Sequence, residues 1–128
     1  MEKTEKEDDP TTRRILEAAI EVHNELGPGL LERPYAVALA IALKDAGMSF
    51  EAEKVFPILF RGKALGDYRP DLIVENYVVV EIKSVERYDP VFLAQMLTYL
   101  RVTRLRVGLI INFNRPRLID GVKRVIRS

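Results

Sequence analysis

The spacing of the apolar residues changes once along the chain, near Phe50, and this change limits the folds that the chain can adopt. Before Phe50, apolar residues recur at helical spacing from about Thr12 to Leu26 and from Glu32 to Gly47. The Gly27-Pro28-Gly29 segment separates the two stretches, and Thr11 or Thr12 can cap the first. After Phe50 the spacing shifts towards two residues, which is typical of strands. We therefore expect two helices, the second largely buried, followed by β-structure.

Three strand-like segments follow: Val55 to Phe60, Ala64 to Val74 and Tyr77 to Lys83. Turns are expected at Arg61-Gly62-Lys63 and near Glu75-Asn76, so three consecutive antiparallel strands are the simplest interpretation. Since Pro57 cannot donate a ladder hydrogen bond, the first strand should lie at a sheet edge or carry a bulge.

The rest of the chain predicts a third helix and further strands. Asp89 and Pro90 suit the N-cap and first position of a helix that ends near Val102. The segment from Arg106 to Phe113 is apolar enough for a central strand. Val122 to Ile126 could be an edge strand or a terminal helix, and we favour the strand. The order of elements predicts one α+β domain.

Composition excludes several classes of protein. The chain has 128 residues and no cysteine, which rules out thiolate catalysis, disulfides and cysteine-bound zinc. Its apolar runs are far shorter than the roughly 20 residues that span a bilayer. Residues 1–10 are mostly charged and lack the apolar core of a secretory signal, so we expect a frayed N-terminus and a cytoplasmic protein that does not bind membranes.

The charges are distributed unevenly, although the net charge is only +1. Residues 1–30 carry 4 basic and 8 acidic side chains, whereas residues 101–128 carry 8 basic and 1 acidic. A basic surface in the C-terminal quarter would bind the phosphates of a nucleic acid, and an ordinary solvated rim is the alternative. The predicted nucleic-acid contacts are Arg115, Arg117, Lys123 and Arg124.

Charged side chains also interrupt the apolar strand segments, where they are rarely found without a partner or a function. Glu81 and Lys83 are two residues apart, so both leave the same face of one strand. If Asp71 lies opposite Glu81, their Cβ atoms are roughly 5 Å apart and the carboxylates repel each other. A divalent cation would remove this repulsion, because Mg²⁺ is held by one or two carboxylates with waters and phosphate oxygens. A solvated salt-bridge ladder on an exposed strand is the alternative.

The length of the turn makes this arrangement testable. A two-residue turn at Glu75-Asn76 would pair Asp71 with Val80 and direct Glu81 away from Asp71. Direct pairing of Asp71 with Glu81 requires a turn of odd length. We therefore predict a three-residue or bulged turn.

Three motifs along the chain together resemble a known superfamily. The stretch PDLIVENYVVVEIK, from Pro70 to Lys83, resembles the PD-(D/E)xK signature of a nuclease superfamily whose core has the element order αβββαβ. The stretch from Gly29 to Tyr35 fits GxxExxY, the motif that names one family assigned to it, and Gln95 to Tyr99 fits the QxxxY helix of RecB-like members. The resemblance implies a restriction-endonuclease-like α+β domain over residues 11–128, with a mixed sheet flanked by helices.

The resemblance also implies roles for individual residues. Asp71 and Glu81 would bind Mg²⁺ or Mn²⁺ together with the carbonyl of Ile82, and Lys83 would orient or deprotonate the attacking water. Glu32 would add a third carboxylate, and Gln95 and Tyr99 would position the lysine, the water or a phosphate. Taken without the resemblance, Glu32 is equally well explained as an acid favoured by the helix dipole.

The leading hypothesis is therefore a metal-dependent nuclease that cuts DNA, with RNA as the alternative substrate. A non-catalytic nucleic-acid-binding or protein-interaction module of the same fold is the second hypothesis, and a homodimer or a subunit of a larger complex stays open. Tyr35 and His23 are expected to be packing residues rather than catalysts.

Overall fold

The structure is a computed structural model that describes residues 9–128 in full and residues 2–5 by their backbone. Two helices precede most of the strands and a third lies between the last strands. The helices are α1 (Pro10–Leu26), α2 (Glu32–Asp45) and α3 (Val91–Thr103). The strands are β1 (Glu2–Glu5), β2 (Phe50–Ala52), β3 (Phe56–Phe60), β4 (Lys63–Tyr68), β5 (Leu72–Val74), β6 (Val78–Lys83), β7 (Val107–Asn112) and β8 (Val122–Arg127). A short 3-10 helix, Leu118–Gly121, precedes β8.

Six strands form one mixed sheet in the order β1-β8-β7-β6-β5-β2. β6 and β7 are parallel, and the other neighbours are antiparallel. Along β6 the side chains alternate: Val78, Val80 and Ile82 belong to the core under α1 and α2, whereas Val79 packs with α3. The predicted α+β fold with a mixed sheet between helices is confirmed.

α3 approaches β7 closely because Gly108 has no side chain. A Cβ at this position would lie 2.4 Å from Met96 Sδ, and Met96 is almost fully buried. All six residues of β7 are buried, which confirms the predicted central strand. α3 begins one residue later than predicted, at Val91, whose N–H donates to Asp89 Oδ1 at 2.9 Å.

The prediction of three consecutive antiparallel strands is only partly confirmed, because the middle strand is divided between two sheets. β3 and β4 form a separate two-stranded sheet, and only β5 and β6 pair within the main sheet. The predicted strand from Ala64 to Val74 breaks between Tyr68 and Leu72, where Pro70 has no N–H to give to a ladder. In the two-stranded sheet each strand has a free edge, and the register shifts after Ile58, which accommodates Pro57 as expected.

The start of the chain also differs from the prediction of a frayed segment over residues 1–10. Glu2–Glu5 forms β1, which pairs with β8 along the sheet edge, while residues 1 and 6–8 lie outside the described residues. α1 begins at Pro10, and its N-cap is Asp9 rather than Thr11 or Thr12. The Asp9 carboxylate accepts from the Thr12 N–H at 2.7 Å and from the Thr12 hydroxyl at 2.8 Å. A carboxylate is a stronger acceptor for this purpose than a threonine hydroxyl.

α2 is less buried than predicted. Only Tyr35, Leu39 and Leu43 are fully buried, and the alanines between them are partly buried against the core, whereas Val37 and Ile41 are exposed. Among the described residues, no helix has the length and hydrophobicity needed to cross a membrane.

Candidate active site

A three-residue turn connects β5 to β6 and sets the register of the site. Val74 pairs with Val78, which leaves Glu75, Asn76 and Tyr77 in the turn. Glu75 and Asn76 have φ of 56° and 50°, and the Tyr77 N–H donates to the Val74 carbonyl at 3.0 Å. The predicted odd-length turn is confirmed.

This register brings Asp71 opposite Glu81, immediately before β5 begins. Glu81 Oε2 accepts a hydrogen bond from the Asp71 N–H at 3.1 Å. In return, Asp71 Oδ2 accepts from the Ile82 N–H at 2.8 Å. Each carboxylate is therefore held by the backbone of the other's segment, and the two acids form a fixed pair.

Both acids lie in a poor environment for negative charge. Burial raises the pKa of Glu81 to about 7, and the charge of Asp71 adds to the shift. Burial likewise raises the pKa of Asp71, and the charge of Glu32 contributes in the same direction. The folded chain thus concentrates like charges that a bound cation would stabilise.

Tyr68 contacts this pair and was not predicted. Its hydroxyl donates to Glu81 Oε2 at 2.9 Å, and its ring stacks on Tyr99 of α3 with centroids 3.7 Å apart. Burial and the charge of Glu81 raise the pKa of Tyr68, so the phenol stays protonated and acts as a donor. The only signal in the sequence is an aromatic residue that ends a strand three positions before Asp71.

Lys83 leaves the same face of β6 as Glu81, as predicted. Its Nζ lies 4.4 Å from the centroid of the Phe92 ring on α3. Within the described part of the chain, no ion pair joins Lys83 to Asp71 or Glu81. Gln95 and Tyr99 are half-buried on the same helix, and Tyr99 contacts Tyr68.

Glu32 is the first residue of α2 and its side chain is exposed. The loop before it is held by Tyr35, whose hydroxyl donates to the Gly27 carbonyl and accepts from the Leu30 N–H at 3.1 Å. Ser84, next to Lys83, donates to the Leu30 carbonyl and ties this loop to the end of β6.

Tyr35 and His23 have the structural roles that the sequence predicts. The Tyr35 ring is fully buried and stacks on Phe113 with centroids 4.5 Å apart. His23 is buried, and its Nε2 lies 2.7 Å from the carbonyl oxygen of Arg115.

A cleft of about 400 Å³ between α2 and β2 is acidic at one end, where Glu32, Glu53 and Asp71 line it. Glu53 is a second residue that the prediction missed. Its N–H donates to the Pro70 carbonyl at 3.1 Å, and its carboxylate pairs with Arg33 at 2.7 Å. The remaining lining is mainly apolar, from Ala36, Val37, Ala40, Ile41, Phe50, Ala52 and Leu72, with Arg33 and Lys44.

The predicted convergence of three acids is only partly present. In residues 9–128, no three acidic or histidine side chains are grouped closely enough to hold a metal ion together. Asp71 and Glu81 form a pair, and Glu32 acts on Asp71 only through its charge because it sits exposed at a helix start.

The Asp71–Glu81 pair nevertheless has the chemistry of a Mg²⁺ or Mn²⁺ site. Both side chains supply hard oxygen donors, and Mg²⁺ is commonly bound by one or two carboxylates. Among the hydrogen bonds of the described residues, none uses Asp71 Oδ1 or Glu81 Oε1. One oxygen of each acid is therefore available to a cation.

The four residues predicted to contact nucleic acid differ in how exposed they are. Arg124 is 3% exposed, and its Nη2 pairs with Asp9 Oδ2 at 2.6 Å, so its charge stabilises the start of α1 and is not on the surface. Arg117 and Lys123 are exposed, and Arg115 is half-buried. Arg124 therefore departs from the prediction, because β8 directs it towards α1.

Comparisons with known proteins agree with this fold. An alkaline exonuclease from Laribacter hongkongensis has a similar structure, with a TM-score of 0.51 and 14% sequence identity over 95% of this chain and 73% of that chain. No curated protein matches the sequence. The family model of the PD-(D/E)XK nuclease superfamily matches residues 9–125. With its paired acids and lysine at the end of β6 and this match over almost its whole length, the chain belongs to the PD-(D/E)XK nuclease superfamily.

Proposed function

We propose that this chain is a nuclease that uses Mg²⁺ or Mn²⁺ to hydrolyse phosphodiester bonds of DNA. The observation that carries the proposal is the fixed, desolvated Asp71–Glu81 pair with Lys83 two residues further along the same strand face. Two buried acids with raised pKa values destabilise a fold unless a ligand uses them.

In this proposal Asp71, Glu81 and the Ile82 carbonyl hold the ion. The bound ion supplies a polarised water and stabilises negative charge on the phosphate. Tyr68 keeps Glu81 oriented through its hydrogen bond, and the Asp71 N–H restrains the same carboxylate oxygen.

The other side chains act on the water and the substrate. Lys83 orients or deprotonates the attacking water and offsets charge on the phosphate. Glu32 provides a further carboxylate at the acidic end of the cleft, while Gln95 and Tyr99 position substrate groups from α3. These roles match the GxxExxY and QxxxY motifs, and residues 11–128 would form a single nuclease-like domain.

DNA is the proposed substrate, with RNA as the alternative. The similar structure from Laribacter hongkongensis is that of an alkaline exonuclease, which supports nuclease activity in general. A homodimer or a larger complex would supply sequence preference, since the described elements do not form a helix-turn-helix or other base-reading motif.

The test is cleavage of plasmid and of single- and double-stranded oligonucleotides with EDTA, Mg²⁺ or Mn²⁺. Cleavage should require the metal, and Lys83→Ala should reduce it by about 10²-fold or more while the melting temperature is retained. Lys63→Ala, at the exposed β3–β4 turn, is the matched control and should cut normally. Metal-independent cutting, or full activity in Lys83→Ala, would refute the proposal.

One observation favours a second candidate, a binding module without catalysis. Glu32 does not join the two acids into a three-residue group in the described chain. Such a module would bind nucleic acid with a strong salt dependence, in EDTA as well as in Mg²⁺, and would cut no substrate with either metal.

A further inference from the structure

A second, smaller pocket lies next to the candidate active site, on the α3 side of the sheet. It has a volume of about 150 Å³ and is lined by Tyr88, Asn112, Arg115, Asp120, Gly121 and Lys123. Asn112 ends β7 and pairs in register with Lys83, the last residue of β6. The pocket therefore begins one strand away from the lysine of the site.

The register also relates this pocket to Glu81. Glu81 pairs with Ile110, which in turn pairs with Lys123 of β8. Residues that pair directly across strands point to the same face, and two strand spacings amount to about 10 Å. Nucleotides rise ~3.4 Å each along a strand, so this distance corresponds to only a few nucleotides.

Aromatic rings fill the space between the two lysines. Lys83 Nζ lies 4.4 Å from the Phe92 ring centroid, and Phe92 meets Tyr88 edge-to-face at 5.4 Å. Lys123 Nζ lies 4.9 Å from the Tyr88 ring centroid. The two ammonium groups are thus held on one continuous surface that leads from the site to the pocket.

The Arg115 side chain has a hydrogen-bond donor that makes no hydrogen bond within the described chain. Its Nε is buried and has no hydrogen-bond partner among residues 9–128. A buried donor without a partner destabilises the folded state, so its presence needs an explanation. The Arg115 backbone is fixed independently, because its carbonyl accepts a hydrogen bond from His23.

The wall of the pocket is rigid. A Cβ at Gly121 would lie 2.2 Å from the Asn112 carbonyl oxygen and 3.0 Å from Arg115 Cγ, so only glycine permits this approach. The Asn112 side chain is satisfied by the backbone of Val85 and Asn114. The unpaired Arg115 nitrogen therefore cannot be explained by a loose loop.

We propose that this pocket binds one uncleaved phosphate group of the nucleic acid, with Arg115 and Lys123 as its ligands. A guanidinium and an ammonium are the usual phosphate donors in proteins. Among the described residues, no hydrogen bond or ion pair uses the Nη groups of Arg115, so these groups can donate to a phosphate in the pocket. The Asp120 carboxylate also lines the pocket and reduces its positive charge. In the described chain, no ion pair joins Asp120 to Arg115 or Lys123. The proposal rests on the proposed function only in its choice of a nucleic acid as ligand.

The test measures oligonucleotide binding by fluorescence anisotropy in EDTA, so that it does not depend on cleavage. Arg115→Gln and Lys123→Gln should each weaken binding by about tenfold and lower the salt slope by about one unit. Asp120→Asn should tighten binding. Arg104→Gln is the matched control, because Arg104 is exposed and precedes β7 at the opposite end of that strand. It removes the same charge and should bind as the unmodified chain does.

The outcomes separate this proposal from the proposed function. If the chain cleaves its substrate, and Arg115→Gln and Lys123→Gln both keep the unmodified affinity and salt slope, the phosphate-binding proposal is wrong and the proposed nuclease activity stands. Weakened binding without any cleavage would support the pocket and refute the nuclease. If Arg115→Gln does not fold, the two variants at exposed positions decide the result: Lys123→Gln should weaken oligonucleotide binding and Asp120→Asn should strengthen it.

The same assay identifies the source of the phosphate. Oligonucleotides with a 5′-phosphate and with a 5′-hydroxyl are compared. A defect in Arg115→Gln that appears only with the 5′-phosphate assigns the pocket to a terminal phosphate, and an equal defect with both assigns it to the backbone.

Discussion

Tyr68 and Tyr99 stack with their ring planes 9° apart, and Tyr68 alone of the two donates a hydrogen bond to Glu81. The stack joins the β3–β4 sheet to α3 at the candidate metal site. α3 therefore contributes to the position of Glu81 through Tyr68.

Tyr68→Phe separates the hydrogen bond from the stack. The ring contact is retained, so the melting temperature should change little. Because the Tyr68 hydroxyl lowers the pKa of Glu81, its loss should raise that pKa and weaken Mn²⁺ binding near pH 6.5, with recovery at pH 8. Calorimetric titration with Mn²⁺ measures the effect, and Tyr77→Phe, an exposed tyrosine outside the site, is the control. Equal affinity at pH 6.5 would show that the hydroxyl has no influence on Glu81.

Without metal, the stability of the chain should fall as pH rises. The folded-state pKa of Glu81 is about 7, above its ordinary value of 4.5, so the folded state holds more protons than the unfolded chain between these values. At about 1.4 kcal/mol per pKa unit the loss is at most roughly 3 kcal/mol. The raised pKa of Asp71 acts in the same direction.

Urea unfolding in EDTA from pH 4.5 to 8 checks this dependence. Glu81→Gln should flatten the profile, whereas Glu86→Gln, at an exposed position, should not. Mg²⁺ or Mn²⁺ at pH 7.5 should restore stability to the unmodified chain and to Glu86→Gln, but not to Glu81→Gln. A profile that is flat before any substitution would contradict the burial of this charge.

The Asp9–Arg124 pair should be a determinant of stability and not of binding. Arg124→Met leaves Asp9 without its partner and should lower the free energy of unfolding by about 3 kcal/mol. Burial alone would raise the pKa of Asp9, but hydrogen bonds from Thr12 and Arg124 outweigh it and lower the pKa. The contribution is therefore present at neutral pH and is lost as pH falls through this lowered value.

Urea unfolding at pH 7 and pH 3 measures this contribution, and the difference between the unmodified chain and Arg124→Met should shrink at the lower pH. Oligonucleotide affinity of the folded variant should stay unchanged. A stable Arg124→Met protein with weakened binding would return Arg124 to the nucleic-acid contacts.

Tyr35→Phe tests whether the loop before α2 places Glu32. The variant keeps the ring stack on Phe113 but leaves the Gly27 carbonyl and Leu30 N–H without their partner, which should destabilise the fold by about 1–3 kcal/mol. Cleavage measured well below the melting temperature should fall as well. Glu32→Gln should reproduce the loss of cleavage without the loss of stability, and normal cleavage in both variants would remove Glu32 from the mechanism.

Local patterns in the sequence predicted most elements of the fold, because helical and strand spacing depend on neighbouring residues. The Asp71–Glu81 pairing was predicted from the metal-site hypothesis instead, which required a turn of odd length. The β3–β4 sheet could not be predicted from local patterns. Pro70 signals a break, but where the chain goes after a break depends on contacts with α3 that a local pattern does not contain.

The same limit applies to the site. Arg124 belongs to a basic segment, and its burial is favourable because Asp9 and Thr12, near the other end of the chain, accept hydrogen bonds from it. Tyr68 becomes a site residue through its hydrogen bond to Glu81 on another strand and its stack on Tyr99 of α3, and neither partner is a neighbour in the sequence. Glu32 matches its motif, yet its exposed position follows from the direction in which α2 begins.

The turn at Glu75, Asn76 and Tyr77 has a consequence for how relatives of this chain can diverge. Losing or gaining one residue there would turn apolar side chains of β6 towards the candidate metal site and turn Glu81 towards the apolar core. A change of two residues would leave each side chain of β6 on its present face. Active relatives should therefore vary in this loop by even steps, and a relative with an odd change should be inert unless a compensating bulge accompanies it.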